Sequence, residues 1–118
     1  MLTLDRKFEV IVVFPVTDQE PAYSKPVVRD LLNALGSITL GASVIEGLGY
    51  WQPTEEVERA IHVYTFYDGS PETLVSLREA VLQVVAPWAL LTGQEAVALE
   101  VNGTLEVWDT WELVGAVE

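Results

Sequence analysis

The stretch "AIHVYTFYDGSPETL", Ala60 to Leu74, hands a strand over to a helix within fifteen residues, and that handover decides the fold class. Ala60–Tyr67 is rich in β-branched and aromatic residues, as a strand requires. Strand alternation puts His62, Tyr64 and Phe66 on one face and Ile61, Val63, Thr65 and Tyr67 on the other. Asp68 and Gly69 make a turn. Ser70 then suits an N-cap, Pro71 the first helical position, and Glu72 the positive end of the helix dipole. Leu74, Leu77, Val81, Val84 and Val85 keep helical spacing, and Pro87 is expected to stop the helix.

The same alternation of elements continues on both sides. Phe8–Phe14, "FEVIVVF", is nearly continuous in apolar residues and reads as a central strand buried on both faces, ended by Pro15. The polar "TDQEPAYS" leads to a helix with Ser24 as cap and Pro26 in its first turn. Val28, Leu31, Leu32 and Leu35 form its single apolar stripe, and Gly36 suits its end. "SITLGASVIEGLGYW" reads as an irregular strand around Ala42–Glu46 that runs into a turn. Near the C-terminus "EAVALEV" and "TLEVWD" flank Asn102-Gly103, a hairpin signal because a type I′ turn needs positive φ at both central positions. The tail, "TWELVGAVE", extends that last strand or lies over the sheet.

This order predicts an α+β chain, a ferredoxin-like split βαβ sandwich (βαββαβ) with an extra C-terminal hairpin strand, as a single domain over residues 1–118. A chain of 118 residues has room for one core and not two. One stripe per helix means that both helices cover the same sheet face. The other face is solvated, or covered by a second chain or the tail, and a homodimer is expected.

Charge narrows the partners. Eighteen acids against six bases give −12 and a pI near 4.2. Direct binding to nucleic acid or to an anionic membrane is disfavoured. From Glu79 to Glu118 there are seven acids and no base, together with Trp88, Trp108 and Trp111. No cysteine is present, which excludes disulfides and thiolate chemistry. No apolar run reaches the roughly 18–20 residues of a bilayer span, and the start lacks signal-peptide character. A cytoplasmic location is expected.

Motifs for chemistry are sparse. Gly47-x-Gly49 in "EGLGYWQP" lacks the third glycine, following helix and nearby base of a phosphate cradle, so the glycines relieve a bent strand. His62, the sole histidine, is of the residue type suited to general acid–base work, yet no triad or metal spacing surrounds it. Glu46 and Glu58 are its candidate partners. Tyr64 and Phe66 have the spacing of base-stacking aromatics on an RNA-binding strand, which the net charge opposes. "TEEVE" (Thr54–Glu58) and "TDQE" (Thr17–Glu20) lack the pattern of a calcium loop and read as solvated loops. No catalytic residue, metal or cofactor is assigned.

With "GLGYW" at Gly47–Trp51 and "GQEAVALEV" at Gly93–Val101, the chain resembles a family of short uncharacterised bacterial proteins, a domain of unknown function. That family has a G-x-G-x-W turn and a late Gln-Glu-x-Val strand, matched here by Gly47, Gly49, Trp51, Gln94, Glu95 and Val97. The likeness covers residues 8–101 and departs at Gln52, where an arginine is expected. It carries no established activity and implies the fold only.

The leading expectation is a non-enzymatic acidic module that binds a basic protein, as an inhibitor or decoy of a nucleic-acid-handling partner. Its contact would be Glu106, Trp108, Asp109, Trp111 and Glu112, since Trp anchors interfaces and acids steer toward basic partners. The alternative is a small-molecule-binding protein or enzyme of the dimeric α+β type, with Tyr50, Trp51, His62, Tyr64 and Phe66 around a pocket. A third reading is a structural subunit that assembles through its C-terminal strand.

Overall fold

A computed structural model describes all residues from Met1 to Glu118. The elements are β1 (Arg6–Pro15), α1 (Pro26–Gly36), β2 (Ser43–Trp51), β3 (Glu56–Tyr67), α2 (Pro71–Thr92), β4 (Ala96–Val101), β5 (Thr104–Asp109) and α3 (Thr110–Val117), with a 3-10 turn at Ala22–Ser24. The strands form one antiparallel sheet in the order β2-β3-β1-β4-β5. The chain is therefore α+β.

Strand alternation sorts the faces. Phe8, Val10 and Val12 of β1, Ile61 and Val63 of β3, and Leu99 of β4 are fully buried. They share one core with Leu31 and Leu35 of α1 and with Leu77, Val81 and Val85 of α2. The expectation that β1 is apolar-packed on both faces is corrected here. Its other side carries Ile11 and Val13, only half-buried, and the carboxylate of Glu9. No helix lies there, so that sheet face is open.

Four boundaries differ from the sequence reading. Lys25, not Ser24, holds the N-cap of α1, because the Ser24 hydroxyl donates instead to the Pro21 carbonyl, 2.7 Å away. The irregular strand is a continuous nine-residue β2 that includes Gly47 and Gly49, opposite Ala60 and Glu58. Helix α2 continues through Pro87 to Thr92 and ends on Gly93 at φ 69°. Proline removes one helical hydrogen bond, but Val85, Ala86 and Ala89 are buried on either side and hold the turns. The tail is the helix α3, started by a capping box between Asp109 and Glu112, and Leu113 seats it in the core beside α2. It joins the helix layer and leaves the open face uncovered.

Helix α2, at 22 residues, is long and apolar enough to cross a membrane by length and composition alone. Here its stripe of Leu77, Val81, Val85 and Ala89 is fully buried in the core. Asn102 at φ 53° and Gly103 at φ 86° form the expected turn between β4 and β5.

Candidate functional site

The β2–β3 hairpin is longer than its neighbour. Pairing of β1 with β3 stops at Pro15 and Glu58, so the last rungs, Tyr50 with Val57 and Trp51 with Glu56, stand free of β1. The tip turns through Gln52–Glu55, with Glu55 at φ 55° and its N–H donating to the Gln52 carbonyl at 3.2 Å. Between this arm and the start of β4 lies a cleft of about 550 Å³, within the roughly 300–1,000 Å³ usual for ligand pockets.

Central strands contribute Ile11, Val13 and Ala98 to the cleft, and the arm contributes Tyr50, Trp51, Glu56 and Glu58. Gln94 and Glu95 line it from the α2–β4 connection, and Leu105 and Val107 from β5. Trp88 of α2 completes the lining and packs against Phe14, ring centroids 5.9 Å apart. A second hollow of about 320 Å³ adjoins the first and shares Val13, Glu56, Glu58 and Gln94. Glu58 thus stands at the junction of the two.

The lining is electrostatically one-sided, with three carboxylates and no Lys, Arg or His. Burial pushes the Glu58 carboxyl above the usual carboxylate range, and the like charge of Glu56, two residues away on the same face, adds to the rise. Such a site favours a positive ligand and repels phosphate.

The arm is clamped from the helix side. Arg59, buried behind Glu58, places Nε 2.5 Å from a Glu46 oxygen and donates from Nη1 to the Asp18 carbonyl at 2.6 Å. Asp18 in turn pairs with Lys25. That bond, and the Glu20 N–H, hold the Asp18 carboxyl below its ordinary range. Asp18, through its backbone carbonyl and its carboxylate 3.6 Å from Arg59 Nη1, therefore ties the β1–α1 connection to the hairpin.

The five candidate pocket residues divide. Tyr50 and Trp51 line the cleft, whereas His62, Tyr64 and Phe66 lie on the same sheet face beyond it. The partner of His62 is neither Glu46, which belongs to the helix side with Arg59, nor Glu58. It is Glu9, whose Oε2 lies 3.3 Å from His62 Nδ1.

The acidic residues of the C-terminal patch have partners within the chain. Glu106 forms a bidentate pair with Arg78 at 2.5 and 2.6 Å and accepts from Trp108 Nε1 at 3.1 Å. The Arg78 hydrogen bond holds the Glu106 carboxyl below its usual range. Asp109 and Glu112 serve as the capping box of α3, and Trp108 packs on the core. Trp111 is freely exposed, at 76%.

No family model matches the chain, and no curated protein matches it. Two solved structures of a phage SAM lyase share its fold. One, in complex with S-methyl-5′-thioadenosine, is 19% identical with a TM-score of 0.56, and covers 92% of this chain and 92% of that one. The other, in the apo state, is 18% identical with a TM-score of 0.55 and the same coverage. At this identity the likeness establishes the fold. It also corrects the leading expectation of a non-enzymatic protein-binding module. The neighbours on this fold are an enzyme with a small-molecule ligand, and the acids of the supposed contact are engaged inside the chain.

Sequence reasoning named Glu56, Glu58, Trp88 and Glu95 in other roles and placed none of them in the pocket. A signal for the first two was present: running the alternation of Ala60 and His62 two steps back puts both glutamates on the same face. Trp88 was hidden by taking Pro87 as a stop.

Proposed function

We propose that this protein is an enzyme acting on a cationic nucleoside of the S-adenosylmethionine type, bound in the cleft under the β2–β3 hairpin. The observation that carries the reading is the lining: three carboxylates, the rings of Tyr50, Trp51 and Trp88, and no base. Ring faces attract both a planar nucleobase and a sulfonium, and the carboxylates favour the positive charge. The likeness to the phage SAM lyase supports the same ligand class. The order β2-β3-β1-β4, with α1 and α2 on one face, supports the ferredoxin-like plan, in which the open face is free to hold a ligand.

Glu58 is the group we assign to proton transfer, since a carboxyl with a raised pKa is the stronger base once ionised. Its carboxylate takes a proton from the arm carbon next to the one bonded to sulfur, and a carbon–carbon double bond forms in the arm. The carbon–sulfur bond breaks to release neutral 5′-methylthioadenosine and an unsaturated amino acid. Glu56 and Glu95 balance the ligand's charge. The test is incubation of the purified chain with S-adenosylmethionine and chromatographic detection of 5′-methylthioadenosine. Glu58→Gln is expected to slow product formation by about 10²-fold or more. A wild-type chain that neither binds nor consumes the sulfonium overturns the reading.

A further inference from the structure

The open face does not end at the cleft. The strand registers align Ile45, His62, Ile11, Ala98 and Val107 in one row across all five strands. Ile11, Ala98 and Val107 line the cleft, so His62 stands beside its floor. The next row is Ser43, Tyr64, Glu9, Glu100 and Leu105, and Leu105 again belongs to the cleft. Lys7 follows Glu9 two residues away on the same face. Lys7 is the one Lys or Arg on this face among the six in the chain, and it meets the sole histidine there.

Both converge on Glu9, which is 4% exposed although no helix covers it. Lys7 Nζ lies 3.4 Å from Glu9 Oε1 and His62 Nδ1 lies 3.3 Å from Oε2, longer than good charge-assisted hydrogen bonds. Lys7 also sits 4.8 Å from the Tyr64 ring centroid. Glu100, directly across from Glu9, has no ion-pair partner. A buried carboxylate so loosely paired adds little stability, and an apolar residue would serve the sheet as well. The grouping does complement an α-amino-carboxylate: Glu9 and Glu100 can accept from the ammonium, while Lys7 and His62 can donate to the carboxylate.

We propose that Lys7, Glu9, His62 and Glu100 form a subsite for the amino-acid arm of the ligand, an inference that rests on the cleft reading. Glu58 and His62 lie four strand steps apart, about 13 Å between backbones. That gap, less the reach of the two side chains, matches the few ångströms between the amino-acid group of such a ligand and its carbon–sulfur bond. The substrate class is then an α-amino acid joined to a nucleoside through sulfur, not a nucleoside alone.

Two neutral thioethers test the subsite, since S-adenosylhomocysteine carries the amino-acid arm and 5′-methylthioadenosine lacks it. Calorimetry on the full wild-type chain is expected to show S-adenosylhomocysteine binding about tenfold more tightly. In Glu9→Gln and in His62→Gln that ratio should fall toward one, while affinity for 5′-methylthioadenosine stays within about twofold. His62 is partly exposed, so its variant decides the matter if Glu9→Gln does not fold. Equal wild-type affinities, or a ratio that survives in the folded variants, would overturn the subsite and leave the cleft standing. Failure of wild type to bind either thioether would overturn both.

Discussion

At the scale of one residue, Glu58 sets stability against function. Burial first, and Glu56 second, raise its pKa in the folded state. The folded chain therefore holds a proton that the unfolded chain releases over the interval between the two pKa values. The contribution is fully present below the unfolded pKa and is lost as pH rises through the folded one. Denaturation of wild type and Glu58→Gln at about pH 4 and about pH 7 checks the sign. The variant is expected to gain on wild type as pH rises, even as its turnover collapses. A difference that stays flat with pH would mean that the carboxyl is not desolvated. Asp18 behaves oppositely, because its pKa is held down by Lys25. Its contribution is present above the unfolded pKa and lost as pH falls through the folded one, so Asp18→Asn should converge on wild type in acid.

At the scale of elements, what was legible in the sequence was what local chemistry dictates. The turn at Asn102-Gly103 needs positive φ, and Gly103 at 86° supplies it. Gly103→Ala is expected to cost about 1 kcal/mol, measured by urea denaturation, since a Cβ is strained there whatever the space around it. Ser70 and Pro71 started α2 as expected for the same local reason. Elements that depend on a distant partner were harder to read. Strand β2 is an edge strand with mostly exposed residues, so it lacks the alternation that marks half-buried strands. Helix α3 has eight residues and is fixed by packing Leu113 beside α2, which no short window reveals. Pro87 is the instructive failure, because tertiary burial carried α2 past it and brought Trp88 into the cleft. Pro87→Ala restores a helical hydrogen bond and should stabilise the chain by about 1 kcal/mol. It should also shift Trp88 and weaken 5′-methylthioadenosine binding several-fold. Unchanged affinity in that more stable variant would separate the helix bend from the site.

At the scale of the whole molecule, the charge of −12 and the cleft act together. The open face was deduced from the single stripe on each helix, but its use was not legible, because composition alone cannot tell a solubilising acid from one that faces a ligand. Salt separates the two. The chain spans 43 × 30 × 25 Å. At about 0.01 M salt the Debye length is about 30 Å, so nearly every carboxylate acts on an arriving cation; at about 1 M it is about 3 Å. Only groups close to the ligand, such as Glu56, Glu58 and Glu95, act across so short a range. Affinity for the S-adenosylmethionine cation should therefore fall steeply across this range and level off above zero, while affinity for neutral 5′-methylthioadenosine changes little. The residual preference for the cation in high salt measures the cleft, and it should shrink further in a Glu56→Gln, Glu95→Gln double variant. Thermal stability should move the other way, rising with salt as self-repulsion among the acids is relieved. Calorimetric titrations of the two ligands on the slow Glu58→Gln variant over the salt series supply both affinities, and equal slopes for cation and neutral thioether would remove the electrostatic basis of the proposed site.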